Sequence, residues 1–147
     1  MATELTRNAL DLEQLFALSV DLLCIANFEG YFLRINPSFH RVLGHSTEVM
    51  LSRPFLEFVH PDDRAATLRE MEGLSSGATT IDFENRYLCA DGGYRWLAWH
   101  SRPLVEARRI YAVARDVTAA RLNAAAPAPT SPDGGPARRP NPTDSNP

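Results

Sequence analysis

The sequence predicts an α+β domain: five short strands, a set of short helices between the second and third, and an amphipathic helix in front. Three observations predict it. Thr80 to Arg102 holds two runs rich in aromatic and β-branched residues on either side of Asp91-Gly92, the strongest short-range signal for a β-hairpin. Further short apolar runs at residues 21–27, 31–35 and 109–117 are bounded by turn residues. Between them, Asn36-Pro37 and His60-Pro61-Asp62-Asp63 set proline at a first helical position, the second with acids in its first turn.

Taken in order, residues 4–19 repeat Leu5, Ala9, Leu12 and Phe16 at spacings of four and three, with Leu15 widening the stripe, so they form a helix with one apolar face. Asp21 to Asn27 is a strand, Phe28-Glu29-Gly30 turns the chain, and Tyr31 to Ile35 returns as its hairpin partner. Asn36 caps a short helix from Pro37 to Leu43 that stops at Gly44. Ser46 starts another through Leu51, and Pro54 to Val59 adds a helical turn. A longer helix follows His60 to about Leu74, with Ala65, Leu68 and Met71 at helical spacing, and ends at Ser75-Ser76-Gly77. Arg109 to Val117 is the last strand. From Ala124 onward the chain holds seven of its eleven prolines and no aromatic residue, so residues 119–147 read as a short helical start and then a disordered Pro-rich tail.

The hairpin register decides which residues share a face. A two-residue loop at Asp91-Gly92 and a four-residue loop from Ala90 to Gly93 give the same pairing, with Tyr87 facing Trp96, Asn85 facing Ala98 and Phe83 facing His100. Ile81, Phe83, Asn85, Tyr87, Trp96, Ala98 and His100 then share the core face. Leu97 and Trp99 fall on the opposite, charged face with Asp82, Glu84 and Arg86, where they need a cover. The N-terminal helix, through Leu5, Leu12 and Phe16, supplies that cover within one chain or across a dimer, or else closes its own core. A three-residue loop would shift the pairing by one and turn one strand over.

Composition excludes several functions. The net charge of −3 carries no basic surplus, against nucleic-acid binding. All 15 basic residues are Arg, so Schiff-base chemistry and a P-loop lysine are absent. Cys24 and Cys89 have no CxxC spacing and are expected to stay reduced. The N-terminus has no apolar signal region and no run approaches membrane-spanning length, so a cytoplasmic protein without membrane contact is expected. No nucleophile–base pair, paired carboxylates or Gly-rich phosphate loop points to an enzyme, and no His lies at a metal-ligand spacing.

The order of elements, and motifs over roughly Leu15 to Arg121, resemble the PAS domain family. Phe28-Glu29-Gly30-Tyr31-Phe32 resembles its D-G hairpin, Ile35-Asn36-Pro37-Ser38-Phe39 its V-N-P-A-F, and Leu43-Gly44-His45-Ser46 its L-G-Y-S. Phe58-Val59-His60-Pro61-Asp62-Asp63-Arg64 is similar to V-H-P-D-D-R, Asp91-Gly92-Gly93-Tyr94-Arg95-Trp96 to D-G-S-Y-R-W, and Ala114-Arg115-Asp116-Val117-Thr118 to A-R-D-I-T. The resemblance implies a PAS fold over residues 20–118: a five-stranded antiparallel sheet with short helices on one face, behind an N-terminal amphipathic helix at residues 1–19. It further implies a sensory or interaction domain in signal transduction. Such a domain binds a small molecule in its core or dimerises, and relays to a partner protein. Other readings are a sensor fragment of a two-component histidine kinase and a pure dimerisation module without ligand. Where flavin photoreceptors of the family carry N-C-R-F-L, this chain has Asn36-Pro37-Ser38-Phe39-His40, which argues against a cysteinyl–flavin adduct. Leu68, Arg69 and Met71 stand where haem-binding members carry an axial His, which argues against b-type haem; the cofactor, if any, is left open.

Candidate pocket residues are Cys24, Ala26, Leu68, Met71, Phe83, Asn85, Tyr87, Trp96, Ala98 and His100. Asn85 either hydrogen-bonds a ligand or ties to a neighbouring helix backbone. Leu5, Leu12, Phe16, Leu97 and Trp99 are the candidate dimer or outer-face residues of a homodimer. Asp116 and Thr118 resemble the family's D-x-T at the junction with an output helix, where the Asp caps or anchors that helix.

Overall fold

The hairpin at Asp91-Gly92 forms, and its loop decides which side chains face inwards. The computed structural model describes residues 2–125, so the Pro-rich tail expected beyond Ala124 lies, from residue 126, outside the described residues. Helix α1 (Ala2–Leu18) precedes strands β1 (Leu22–Asn27) and β2 (Phe32–Ile35). Short helices α2 (Ser38–Leu43) and α3 (Thr47–Leu51) follow, then two 3₁₀ turns (Phe55–Phe58 and Pro61–Asp63) that lead into α4 (Arg64–Ser75). Strands β3 (Thr80–Leu88), β4 (Tyr94–Leu104) and β5 (Arg109–Asp116) complete one antiparallel sheet in the order β2-β1-β5-β4-β3, and α5 (Thr118–Ala125) leaves it. The predicted α+β class, element order and PAS-like sheet are what the structure shows.

The loop has three residues, Ala90, Asp91 and Gly92. Cys89 N–H donates to the Gly93 carbonyl at 2.7 Å, and Gly92 N–H to the Cys89 carbonyl at 3.0 Å. The Asp91 carboxylate accepts from Gly93 N–H at 2.9 Å, and Gly92 alone takes a left-handed φ of +93°. This is a three-residue turn closed by one glycine, in which Asp serves through its side chain and needs no positive φ itself. A two-residue primed turn would need left-handed geometry at both Asp91 and Gly92.

The consequence is a one-residue shift. Arg86 pairs with Trp96, Asn85 with Leu97, Glu84 with Ala98 and Phe83 with Trp99. A shift of one turns a strand over, so β4 presents the opposite face to that expected. Leu97 (0% exposed) and Trp99 (7%) are core residues, and the expected outer strip does not exist. Trp96, Ala98 and His100 lie on the other face, with His100 exposed beside Asp82 at 3.2 Å. On β3 the expected alternation holds for Asn85 and Tyr87. It breaks at a bulge between Thr80 and Phe83, where Asp82 takes φ of 57° and Ile81 turns outward.

The core lies between the sheet and the helices. Leu22, Cys24, Ala26, Ile110, Ala112 and Ala114 come from the central strands, and Phe39, Leu43, Met50, Phe55, Phe58 and Leu74 from the helical layer. Phe32 contacts Phe39 edge-on at 5.3 Å and Phe55 at 5.2 Å between ring centroids.

One helix start differs from expectation and the next agrees with it. Asn36 was expected to cap α2 with its side chain, but its Oδ1 accepts from Leu23 N–H at 3.0 Å, and its amide donates to the carbonyls of Phe16 and Asp21, both at 3.0 Å. The buried amide joins three segments with open backbone groups, which takes precedence over capping a six-residue helix. His60 serves the next start as expected, its Nδ1 accepting from Asp62 N–H at 3.0 Å. Helix α1 lies beside β2: Glu13 pairs with Arg34, and the Arg34 guanidinium sits 4.6 Å from the Phe16 ring centroid. It does not cover Leu97 or Trp99. Leu5 (71% exposed) and Leu12 (67%) are unpaired by the domain.

Candidate functional site

Between β-sheet and α4 the side chains leave a cavity of about 60 Å³. Its walls come from β1 (Cys24, Ala26), β5 (Ile110, Ala112), β3 and β4 (Phe83, Asn85, Tyr87, Trp99), the aromatic rings of Phe32 and Phe55, and the inner face of α4 (Thr67, Met71, Leu74), with Glu70, Thr80 and Ser101 adding polar groups. Six of the expected pocket residues are therefore brought together: Cys24, Ala26, Met71, Phe83, Asn85 and Tyr87. Four are not. Trp96, Ala98 and His100 went to the outer face with the register shift, and Leu68 is 46% exposed.

The spacing of Ala65, Leu68 and Met71 points Leu68 inwards, but the helix turns it out. The inner face of α4 is Thr67, Met71 and Leu74, at spacings of four and three. Thr67 passes as a core residue because its hydroxyl donates to the Asp63 carbonyl one turn back, at 2.8 Å. The Thr67–Met71–Leu74 spacing was the signal available in the sequence. Phe32, Phe55, Ile110 and Ala112 come from elements whose distance from the hairpin gives no such signal.

Asn85 (2% exposed) is the polar centre. The Trp99 indole N–H donates to Asn85 Oδ1 at 2.9 Å, and Asn85 Nδ2 donates to Thr67 Oγ1 at 3.1 Å. The directions are forced. An indole N–H can only donate, so it must meet the amide oxygen; the Thr67 hydroxyl spends its proton on Asp63 O and must accept from the amide nitrogen. Asn85 thus bonds side chains rather than the helix backbone considered in its sequence reading.

The line continues to the surface. The Asp63 carboxylate accepts from Arg86 three times, from its backbone N–H at 2.8 Å, Nε at 2.9 Å and Nη2 at 2.8 Å. These bonds hold the Asp63 carboxyl below its ordinary value of 3.8 and raise the Arg86 guanidinium. A carboxyl lowered by folding stabilises the fold above its ordinary value and loses that contribution as pH falls through its folded value. The melting temperature of the wild type should therefore fall faster below about pH 4 than that of Asp63→Asn, followed by circular dichroism from pH 6 to 2.5. Parallel curves would remove the pair from the acid limb.

Arg86 also lies 4.8 Å from the Trp96 ring centroid, and Arg121 of α5 lies 3.6 Å from it, so one exposed-face indole carries two guanidinium groups. Arg121 in turn pairs with Glu84. The expected junction residues meet at the same place. Asp116 Oδ1 accepts from Thr118 N–H at 3.0 Å and from its hydroxyl at 2.6 Å, and Thr118 Oγ1 accepts from Trp96 N–H at 2.8 Å. Asp116 also pairs with Arg95 at 3.2 Å. Burial raises the Cys24 thiol and, with Cys24 nearby, the Tyr87 phenol well above their ordinary values, so both are neutral. Among the described residues no group of three or more His, Cys, Asp or Glu could hold a metal, and no helix is long and apolar enough to cross a membrane.

A family model described as the PAS fold matches residues 32–114, more than half of the chain. The chain belongs to the PAS-fold family. Among solved structures, this PAS domain is similar to the PAS domain of an HTR-like protein from Haloarcula marismortui (26% identity, TM-score 0.67, covering 78% of this chain and 96% of that one). It is also similar to a domain of a putative light and redox sensing histidine kinase from Haloarcula marismortui (25% identity, TM-score 0.59, 74% and 98%). A domain of a sensory box sensor histidine kinase/response regulator from Geobacter sulfurreducens shares the fold (19% identity, TM-score 0.67, 76% and 96%). No curated protein matches the chain significantly.

Proposed function

We infer that this PAS domain is a non-enzymatic sensory module of signal transduction that takes a small molecule into its core and relays occupancy to a partner through α5. The observation that carries the reading is the unbroken line of contacts from the cavity wall to the exit helix. It runs from Trp99 through Asn85, Thr67, Asp63, Arg86 and Trp96 to Arg121. Displacement of the Trp99 ring by a ligand has a path of hydrogen bonds to Arg86 and of two cation–π contacts from there to α5. The sensor-kinase names of two fold neighbours support a signalling role of this class.

Ala112→Val adds two carbons to the cavity wall and stands in for an occupant. In hydrogen exchange followed by mass spectrometry, this variant should alter protection of residues 118–125 several-fold while protection of β1 and β2 stays unchanged. Identical exchange in α5 would sink the relay.

A second reading, homodimerisation, is favoured by the exposed leucines of α1 together with Tyr111 and Val113 on the exposed face of β5. Leu5→Glu combined with Leu12→Glu should weaken self-association at least tenfold in analytical ultracentrifugation, with the melting temperature nearly unchanged. A wild type that stays monomeric at high concentration would end that idea. Leu97 and Trp99 have no part in it, because both are buried in the core.

A further inference from the structure

The polar groups of the cavity specify a ligand chemistry, and this deepens the proposed sensory reading and rests on it. Two of them are incompletely used. Asn85 Nδ2 carries two protons and spends one on Thr67 Oγ1, while its oxygen is held by Trp99, so one amide N–H remains for an acceptor. Tyr87 (2% exposed) forms part of the same wall, and among the described residues its hydroxyl makes no hydrogen bond. A phenol hydroxyl buried to this degree normally has a partner, because leaving it without one costs free energy.

Charge narrows the class. The lining includes no Arg and no His, and its single ionisable carboxylate, Glu70, already accepts from Thr80 Oγ1 at 2.9 Å. An anion entering here would lose its water without meeting a cation. A cation would meet the donating protons of Asn85 and, beyond Glu70, mainly apolar carbon. Size narrows it again: a cavity of about 150 Å³ holds benzene, so 60 Å³ accommodates only a smaller molecule. The volume is also well below the roughly 300–1,000 Å³ of sites for drug-sized ligands.

We propose that the cavity binds a small uncharged molecule, smaller than benzene, whose carbonyl or hydroxyl oxygen accepts from Asn85 and bonds the Tyr87 hydroxyl, with its apolar end against Ala26, Ile110 and Ala112. The specificity follows from unmet donors inside a wall that has no cation and whose one carboxylate already accepts from Thr80: a hydrocarbon of the same size leaves both donors unpaired, and an ion loses its water for little return.

Three near-isosteres test this on the full chain: acetamide (neutral), acetate (anionic) and ethylammonium (cationic), each titrated while the Trp99 indole N–H and Asn85 side-chain amide signals are followed by ¹H–¹⁵N NMR. Acetamide should shift both signals saturably, with at least tenfold weaker binding of either ion. Tyr87→Phe, which removes one oxygen and leaves the ring, should weaken acetamide binding at least threefold. Equal or tighter binding of an ion, or unchanged affinity in Tyr87→Phe, overturns the ligand class while leaving a core-binding sensor standing. If no probe shifts either signal, the ligand assignment fails outright; if Ala112→Val also leaves α5 unchanged, the sensory reading fails with it.

Discussion

Leu97→Glu is expected to unfold this domain, whereas Ala98→Glu, one residue along, is expected to be tolerated. Leu97 is fully buried opposite Asn85, between β3 and β5. Removing its side chain from the core costs about 2–5 kcal/mol by analogy with other large-to-small core changes. The carboxylate adds the cost of a buried charge without a partner, which takes the total to about 4 kcal/mol or more. Small domains are stable by only about 5–15 kcal/mol, so most of the margin is lost. Ala98 points to the other face, with Glu84 opposite it on β3 and Arg115 on β5, so a carboxylate there stays hydrated and costs about 1 kcal/mol or less. Urea unfolding followed by circular dichroism measures both. The two-residue-loop register would reverse the order, and a stable Leu97→Glu beside an unfolded Ala98→Glu would refute the observed pairing.

Asn85→Leu should cost about 2–3 kcal/mol although it places an apolar side chain in an apolar core. The cost arises elsewhere: the Trp99 indole N–H is left buried with no acceptor, and Thr67 Oγ1 loses its donor. If that is the cause, Trp99→Phe made in the Asn85→Leu background should be much less destabilising than Trp99→Phe alone. The indole N–H would no longer have a partner to lose. The double-mutant cycle should give a coupling of about 1 kcal/mol or more, read from urea denaturation midpoints. Additive losses would mean that Asn85 contributes volume only, and the contact line to α5 would lose its second link.

Much of the fold was legible. Proline at helix starts, Gly44 as a left-handed stop (φ +86°), short apolar runs and the Asp-Gly turn each act over a few residues, and local steric rules translate them directly into elements. The family motifs then ordered those elements correctly. Six of the sixteen lining residues were legible too, four of them (Asn85, Tyr87, Cys24 and Ala26) because they needed only strand alternation within their own strands.

The sequence by itself determined the element order, the sheet-and-helix architecture, family membership and the inward turn of Asn85 and Tyr87, since all of these follow from local conformational preference and period. Only the tertiary structure decided that the turn has three residues, Ala90 to Gly92, and with that odd count the whole of β4 changed face: Leu97 and Trp99 entered the core while Trp96 went out to receive Arg86 and Arg121. The physical reason is that both loop lengths satisfy the local turn chemistry of Asp91-Gly92. The choice between them rests on burial: a Leu and a Trp removed from water against a half-exposed Trp, a small Ala and a His. That difference exists only once the helices have closed over the sheet.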